Sequence, residues 1–414
     1  MHPSDTDTGR SASGEPSLRR ALTLPLLVLY GLGVTLGAGI YVLVGATAAE
    51  AGIYAPISFL VAAIVVSFTA LSYAELATRY PVSAGEAVYV GAGFGWKSLT
   101  LIVGLLVALS GIVSASAVSI GAANYLSNLV GLPVYILVML TVLAMGLLAA
   151  WGIVESVSAA AVVTVLEIGG LLLVIGWGFV GASGSVLSVA ELIPAFSGTH
   201  WLGIGTASVL AFFAFIGFED MANVAEEVKQ PRRTYPRAVL LTLVITTLLY
   251  LLTTVAVVTT VPINSLAGSP APLALAFASA PQSLTDAFVV IAVVATVNGI
   301  LIQMVMASRV IFGLADRGHL PRQLAKISPR TRTPLFATAL VVGLILLLSQ
   351  AFPIALLAER TSQIVLVTFI LVNLALIRIK RREERHPPEY FRVPTFVPVA
   401  GVVTSLGMLM TAVL

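Results

Sequence analysis

A glycine-rich interruption lies near the middle of the first long apolar run of this chain. Residues 21–49 carry no charge, and the sequence Gly37-Ala38-Gly39-Ile40 divides them. In a lipid bilayer every backbone polar group has to find a partner within the protein, so irregular backbone survives there only where it is buried or lines a cavity. The interruption therefore marks a candidate binding site inside a membrane-spanning segment.

The composition supports a membrane location for the whole chain. Hydrophobic residues make up 58% of the 414 residues, charged residues 10%, and the mean hydropathy is +1.03. Uncharged runs of about 20 residues, long enough to cross the hydrocarbon core as helices, recur along the whole length. We predict an all-α integral membrane protein with eleven spans, at residues 22–49, 56–78, 98–124, 133–151, 156–181, 203–226, 238–261, 286–312, 335–352, 362–378 and 394–414. The first run is too long for a cleavable signal peptide.

The distribution of basic residues predicts the orientation. With these spans, all of the 22 lysines and arginines except Arg360 fall on the same side as the N terminus. Because cytoplasmic loops collect basic residues, we expect a multi-pass protein of the plasma membrane with a cytoplasmic N terminus. Residues 1–20 are polar and are expected to form a disordered cytoplasmic tail, and 21–414 a single transmembrane domain. The basic residues are explained by topology, so no nucleic-acid partner is expected.

Several kinds of chemistry are excluded by what the chain lacks. It has no cysteine, and its histidines, at positions 2, 200, 319 and 386, all fall in the tail or in loops. No thiolate or histidine metal site is therefore expected, and no cysteine nucleophile. Gly37 and Gly39 do not form a dinucleotide-binding loop, since that motif needs a preceding strand and a βαβ unit. We expect no cofactor.

A second interruption stands at the matching place in the sixth span. The apolar run that begins at Leu202 is interrupted at 216–220 by Ile-Gly-Phe-Glu-Asp. Four spans lie between the two interrupted segments, so these segments cross in opposite directions and the halves form inverted repeats, at about 22–181 and 203–378, with an extra helix at 394–414. Interrupted segments at matching positions of two inverted halves are typical of secondary transporters with a site at the midplane.

The two interruptions offer complementary groups to a zwitterion. Amides freed near Ala38, Gly39 and Ile40 open a half-helix whose positive dipole end favours a carboxylate. Carbonyls freed around Thr35 and before Gly217 accept hydrogen bonds from an ammonium group. The alternative is that these glycines only allow close helix packing.

Longer stretches around these positions resemble a known family. The strings GAGIYVLVG in the first span, SYAELATRYPVSAGEAVYV after the second, FFAFIGFEDMANVAEEVKQPRRTYPRAV through the sixth and ASRVIFGLADRGHLPRQLAKISPRTRTP after the eighth are similar to the amino acid-polyamine-organocation (APC) superfamily of permeases. The resemblance runs from about residue 22 to 400. It implies the leucine-transporter-type fold, a 5+5 inverted repeat with discontinuous helices 1 and 6, and transport of an amino acid or related amine by alternating access.

The resemblance also implies roles for single residues. The substrate carboxylate would lie on the backbone of Gly37, Ala38 and Gly39. The ammonium would lie on carbonyls near the two breaks, those of Thr35, Phe213, Ala214 and Ile216. The Phe213 ring would close over the substrate from outside, and Glu219 would be linked to proton sensing. The alternatives are an ordinary packing aromatic and a solvated acid that caps the second half-helix.

The departures from the family pattern concern the loops and the specificity. The chain has Ala84-Gly85-Glu86 where many members have two glycines before an aromatic residue, and eleven predicted spans where twelve are usual. The third span carries no acidic residue, which disfavours a strictly cationic substrate. Asp220 could nevertheless meet a polar or cationic side chain of the substrate.

One intramembrane acid is a candidate for energy coupling. Glu167 is the only charged residue between Val157 and Val189 and lies about 18 Å along the helix from Glu155. Intramembrane acids are functional candidates, since a carboxylate there is costly unless it is protonated, paired or hydrated. In several proton-coupled relatives a lysine stands at the matching place. We hypothesise that Glu167 binds and releases a proton; the alternative is a permanently neutral structural acid.

Sodium coupling is less expected than proton coupling. The eighth span offers Thr296, Asn298 and Ser308, but no adjacent hydroxyl pair facing the first break. Near the cytoplasmic end of the second span, Glu75 and Arg79 are spaced as an ordinary helical ion pair.

The leading hypothesis is a proton-coupled amino acid symporter, and its variant is an exchanger. A channel or a membrane-embedded enzyme is the alternative of another class, but the chain lacks the pore rings or catalytic clusters that they need.

Overall fold

The computed structural model describes residues 22–37, 39–81, 85–151, 157–181, 189–194, 197–382 and 390–412. The predicted tail at 1–20, Ala38, Ala84 and Glu155 lie outside these ranges.

The described chain is built from α-helices with short 3₁₀ segments between them. The α-helices, numbered in chain order, are α1 (Leu24–Leu36), α2 (Gly39–Ala51), α3 (Ala55–Arg79), α4 (Gly85–Phe94), α5 (Lys97–Val130), α6 (Val134–Trp151), α7 (Val157–Gly181), α8 (Gly198–Phe213), α9 (Pro231–Thr260), α10 (Ile263–Gly268), α11 (Gln282–Asp316), α12 (Leu335–Ala351), α13 (Ile354–Arg382) and α14 (Phe396–Thr411). The longest 3₁₀ segment is Phe218–Glu227.

The predicted spans correspond to these helices. Among the described residues, eight helical segments are long and apolar enough to cross a membrane, and α1, α12 and α14 are shorter apolar helices. One of the eight segments, Gly39–Arg79, contains both α2 and α3. The predicted start of the tenth span at 362 is wrong, because α13 begins at Ile354 and carries Glu359 and Arg360 as a surface pair in its first turns.

The two predicted breaks are the discontinuities of the structure. The first separates α1 from α2, and α2 begins at Gly39, so Gly39 and Ile40 belong to the first turn of the second half-helix. The second begins earlier than predicted, since α8 already ends at Phe213. The half-helix after it is a 3₁₀ segment rather than an α-helix.

Helices of the two repeats pack against each other. In the described part of the chain α5 lies along α11, α3 along α9, and α1 between α7 and α9. At one end of the molecule the backbone before α1 pairs with the backbone after the 3₁₀ segment: the Leu22 N–H donates to the Glu227 carbonyl at 2.9 Å, and the Lys229 N–H to the Leu22 carbonyl at 2.9 Å. These two bonds tie the entrance of α1 to the exit of the second discontinuous span.

The pair of Glu75 and Arg79 is part of a larger buried group. Arg79 Nε donates to Glu75 at 2.9 Å, and Lys380 Nζ of α13 lies 2.7 Å from the other carboxylate oxygen. The N–H of Val393 donates to that oxygen at 2.8 Å, and the Arg79 guanidinium lies over the ring of Tyr390. The group therefore joins α3, α13 and the segment that leads into α14.

Candidate functional site

The first break is narrow and flanked by buried residues. Thr35, Gly37, Gly39 and Ile40 are all buried. The Thr35 hydroxyl donates to the Gly31 carbonyl of its own helix, at 2.7 Å, so this side chain is already used within α1. Its backbone carbonyl, which was the predicted acceptor for an ammonium group, accepts a hydrogen bond from a side chain of another helix, described below.

The second break is a tightened turn followed by a strained glycine. The N–H groups of Ala214, Phe215 and Ile216 donate to the carbonyls three residues before them. Gly217 has φ +123°, a conformation that L side chains rarely adopt, and a Cβ there would lie 2.6 Å from the Val34 carbonyl oxygen. Glycine is therefore required at 217 both by the backbone conformation and by the approach of α1.

The two breaks touch each other directly. A Cβ added to Gly39 would lie 2.2 Å from Cα of Ala214, so the start of α2 and the end of α8 are in contact without an intervening side chain. Phe213 is only 4% exposed and Ala214 1%. The described candidate residues of both breaks are thus brought together in a closed arrangement, with Gly39 directly against Ala214.

Tyr250 of α9 links the two breaks and was missed by the sequence reasoning. Its hydroxyl lies 2.8 Å from the Thr35 carbonyl oxygen and 2.7 Å from that of Ala214. A hydroxyl has one hydrogen and can donate fully to only one of them at a time. The ring is fully buried between Phe59 and Phe215. A buried tyrosine hydroxyl needs a hydrogen-bond partner, so a tyrosine in an apolar span was a signal of a polar contact. The sequence does not show which partners it has, because they lie 215 and 36 residues away.

Glu167 of α7 lies beside the first break. The residue is fully buried, its Oε1 accepts a bond from Nδ2 of Asn298 on α11 at 3.2 Å, and its Oε2 has no hydrogen-bond partner among the described residues. Its backbone carbonyl accepts the hydroxyl of Tyr41 at 2.7 Å. Asn298, considered in the sequence only as a sodium ligand, is the hydrogen-bond partner of the Glu167 carboxyl.

Oxygen atoms from three helices converge near Gly37. A Cβ on Gly37 would lie 3.2 Å from the Gly33 carbonyl oxygen, 3.4 Å from that of Ala295 and 3.7 Å from Glu167 Oε1. The carboxyl of Glu167 therefore lies next to Gly37 in the first break, close enough to touch a methyl group added there. Any side chain at 37 would fill this space.

Glu219 and Asp220 follow the second break and face a narrow cavity. The Gly217 N–H donates to Glu219 Oε2 at 2.9 Å, so this acid caps the 3₁₀ segment, but it is largely buried rather than solvated. The cavity, about 10 Å³ in volume, also contacts Glu86 of α4 and Tyr73 of α3. The Tyr73 hydroxyl donates to Glu86 Oε1 at 3.3 Å. Sequence reasoning missed Glu86 as a neighbour of the second break.

Burial changes the acidity of Glu86. α4 is not one of the candidate membrane spans, and Glu86 is only 4% exposed. Burial raises the pKa of this carboxyl to about 6, while hydrogen bonds from its own backbone and from Tyr73 act in the opposite direction. Glu86 therefore changes charge close to neutral pH.

No group of three His, Cys, Asp or Glu side chains in the described part of the chain is placed to hold a metal ion. The acids described above are arranged instead around two backbone breaks and a small polar cavity. Discontinuous helices that meet near the centre of a helical membrane domain are typical of a secondary transporter.

The family follows from comparison with known proteins. The family model described as amino acid permease matches residues 23–414, so the chain belongs to the amino acid permease family, within the APC superfamily, and is a transporter rather than an enzyme. The branched-chain amino acid permease BcaP of Bacillus subtilis is 31% identical over 95% of this chain and 87% of that protein. The vacuolar cationic amino acid transporter 2 of Arabidopsis thaliana is 30% identical over 97% and 67%.

Solved structures agree on the fold. A mutant of the manganese transporter of Eremococcus coleocola superposes with a TM-score of 0.66, at 15% identity, over 97% of this chain and 90% of that one. The chain has the leucine-transporter-type fold that the resemblance implied, with discontinuous first and sixth spans and about eleven transmembrane helices.

Proposed function

We propose that this amino acid permease is a secondary active transporter that carries amino acids into the cell by alternating access, in symport with protons. The observation that supports it best is the meeting of the two breaks, with the Tyr250 hydroxyl bound to one carbonyl from each. Hydrogen-bond acceptors from both half-helices are thus directed at a single point. An ammonium group has three donors and satisfies more than one acceptor there at once, which a hydroxyl does not.

The substrate backbone would lie across the breaks. Its ammonium replaces the Tyr250 hydroxyl on the carbonyls of Thr35 and Ala214, with those of Phe213 and Ile216 nearby. Its carboxylate faces the amides at the start of α2, around Gly39 and Ile40, and those of Gly37 and Ala38. Because Gly39 and Ala214 are in contact in the closed arrangement, binding and opening are necessarily linked.

Glu167 is the proposed proton carrier. A carboxylate buried in a bilayer is costly unless it is protonated or paired, and one oxygen of Glu167 has no partner among the described residues. Its position against Gly37 means that opening of the first break changes its surroundings. Protonation would accompany the closed arrangement, and hydration on opening would favour release. Glu219, which caps the Gly217 amide, is the second proposed coupling group.

Sodium is the competing ion. The carbonyl oxygens of Gly33 and Ala295 and the carboxyl of Glu167 surround one point near Gly37, and sodium binds to oxygen ligands of this kind. Binding of a proton needs only the carboxyl of Glu167, and proton coupling is therefore the primary proposal. Exchange of one amino acid or amine for another is the variant that needs neither ion.

The orientation and the location belong to the same proposal. The N terminus lies in the cytoplasm and the protein in the plasma membrane, because the basic residues collect on one side of the predicted topology. No resident cofactor takes part.

Uptake into liposomes tests the proposed function. The purified full-length chain is reconstituted, and a panel of labelled amino acids and amines is offered with an inward proton gradient, an inward sodium gradient or no gradient. We expect accumulation of at least one amino acid under the proton gradient alone. Accumulation only with sodium would replace the proton by sodium, and counterflow without net uptake would establish the exchanger. Absence of amino acid transport in every arm, or single-channel currents in a planar bilayer, would overturn the proposal.

A further inference from the structure

One face of α9 carries a row of buried hydroxyl groups. This hydroxyl row consists of Tyr235, Thr242, Thr246, Tyr250 and Thr253. Because successive residues of an α-helix are turned by about 100°, these five positions fall within a sector of about 80°. The row therefore leads from the start of α9 to Tyr250, whose hydroxyl is bound at the two breaks.

Most of the hydroxyl row has no hydrogen-bond partner. Of its five hydroxyls, only that of Tyr250 is bonded to any described residue. A threonine in a helix can donate to a carbonyl one turn before it. Three threonines on the other faces of α9 do so at 2.6–2.7 Å, and they are Thr247, Thr254 and Thr259. The lack of partners is thus a property of one face and not of the helix.

Water is the ligand that fits these hydroxyls. A buried polar group without a partner is costly, so four of them on one face call for a partner that arrives from outside the protein. The positions of Thr242, Thr246 and Tyr250 are about 6 Å apart along the helix. Two hydrogen bonds of about 2.8 Å span nearly that distance, so one water molecule bridges each pair. The longer step of about 10 Å to Tyr235 needs two or three water molecules.

The first half-helix covers the hydroxyl row. A Cβ on Gly31 of α1 would lie 2.8 Å from the Thr242 hydroxyl oxygen, so backbone of α1 packs directly on this face. One turn further on, the Thr35 carbonyl meets Tyr250. α1 and α9 begin at the same end of the molecule, because the backbone before α1 pairs with the backbone before α9. Separation of α1 from α9 would therefore admit water to the row from that end.

Acidic groups lie near both ends of the hydroxyl row. The Glu167 carboxyl lies within electrostatic range of the Tyr250 hydroxyl, and those of Glu86 and Glu219 within range of the Tyr235 hydroxyl. Each hydroxyl and each water molecule of a hydrogen-bonded chain accepts one proton and donates another. A proton that enters the chain at one end thus releases another at the far end, and no group between them is changed.

We propose that the hydroxyl row lines a water-filled path along which the coupled proton passes between Glu167 and the end of the molecule where α1 and α9 begin. The proposal rests on the proposed function and specifies the route of its proton. Water fills the path when α1 separates from α9, and Thr242 and Thr246 bind it there. In the proposed orientation the path leads to the cytoplasm.

Cysteine substitutions test whether the hydroxyl row is hydrated, since the chain itself contains no cysteine. Thr242→Cys and Thr246→Cys, as full-length chains in liposomes supplied with a transported amino acid, are treated with a small charged methanethiosulfonate. The thiolate is the reactive form, and it forms where water reaches the thiol. We expect both cysteines to react at least about tenfold faster than the control Thr247→Cys, on another face of α9. Reaction of all three at the same slow rate would show that the row stays dry, and would overturn the proposal.

Valine substitutions test whether the path carries protons. Valine has nearly the shape of threonine but no hydroxyl, so in a dry site Thr242→Val and Thr246→Val would remove a costly unpartnered group and raise the Tm. We expect no rise in Tm, a loss of substrate-driven proton entry of at least about fivefold, and counterflow exchange within about twofold of the wild type. Thr247→Val, the matched control, should keep wild-type proton entry.

The outcomes separate this proposal from the proposed function. A raised Tm or wild-type proton entry in both Thr242→Val and Thr246→Val would contradict the proton path while leaving amino acid symport intact. A wild-type protein that transports no amino acid, or that transports one without proton entry, would instead overturn the proposed function.

Discussion

Tyrosine hydroxyls bound to backbone carbonyls characterise the centre of this protein at the residue scale. Tyr250 is bound to both breaks, Tyr41 to the carbonyl of Glu167, and Tyr125 to the carbonyl of Tyr41. Glu167 and Tyr41 lie within α-helices, whereas Thr35 and Ala214 lie at helix ends, where carbonyls have no helical partner. The Tyr250 bond differs from the others, because its two acceptor carbonyls are also the proposed binding site of the substrate ammonium group.

Removal of that one hydroxyl gives the first prediction. In Tyr250→Phe the carbonyls of Thr35 and Ala214 lose their donor, so we expect the substrate-free protein to lose about 1–3 kcal/mol of stability. The substrate no longer has to displace a hydroxyl, and its apparent KM falls severalfold. Thermal unfolding with and without substrate, together with uptake kinetics, measures both effects.

A second buried tyrosine provides the control. The hydroxyl of Tyr89 has no hydrogen-bond partner among the described residues, so Tyr89→Phe should leave the stability nearly unchanged. A raised KM in Tyr250→Phe with unchanged stability would instead mean that the hydroxyl binds the substrate directly.

Glu86 gives the second prediction, on pH. The groups facing it are Tyr73 on α3, Tyr89 on its own helix, Glu219 on the 3₁₀ segment and Tyr235 on α9. Since burial raises the pKa of Glu86 to about 6, the carboxyl is charged above that pH and neutral below it. Amino acid uptake should therefore show a step near pH 6 when it is measured from about pH 8 to about pH 5.

The same pH series in Glu86→Gln tests the assignment. Without the titrating carboxyl, the uptake should lose the step near pH 6. A step of unchanged size in this variant would assign the pH dependence to another group.

At the scale of elements, the decisive feature is the direct contact between the two discontinuous spans. Gly39 begins α2 against the end of α8, and Gly217 lies against the Val34 carbonyl of α1. Small residues allow such close approach between membrane helices. From the sequence we considered the alternative that these glycines serve helix packing. The two interpretations agree, because close packing at the glycines is what brings the two breaks into contact.

Filling this contact gives the third prediction. Gly39→Ala places a methyl group 2.2 Å from Cα of Ala214, and backbone cannot yield as a flexible side chain does. We expect the closed arrangement to be destabilised by about 1–3 kcal/mol, and transport to fall at least about tenfold. Uptake and thermal unfolding are the measurements.

Gly176→Ala is the matched substitution. Gly176 also lies in a membrane helix, α7, but nothing is within 4 Å of its added Cβ, so uptake should remain near wild type. Wild-type transport in Gly39→Ala would show that the two breaks do not need to close upon each other.

At the scale of the whole molecule, the spans were predictable and the pairings were not. Length and apolarity predict the spans because the bilayer fixes both, and the breaks at Gly37 and Gly217 were visible as glycine-rich interruptions. The sequence does not show that Tyr250 reaches Thr35, or that Asn298 reaches Glu167, since those contacts depend on how helices far apart in the chain pack.

Local pattern also failed where the conformation is unusual. The chain after Gly217 was expected to continue as an α-half-helix, but Phe218–Glu227 is 3₁₀ and turns Glu219 back onto the Gly217 amide. Glu86, placed by α4 beside this segment, was noted only as a departure from the family pattern. The two breaks could thus be predicted from the sequence, but the contact of Glu86 with the segment after the second break could not.

The central claim is that substrate and proton cross together and that Glu167 carries the proton. The most direct measurement is simultaneous recording of amino acid uptake and internal pH in liposomes containing the wild type, Glu167→Gln, or the control Glu50→Gln. We predict that substrate drives proton entry in the wild type and the control, whereas Glu167→Gln retains counterflow exchange without proton entry. Proton entry coupled to substrate at the wild-type ratio in Glu167→Gln would contradict the account.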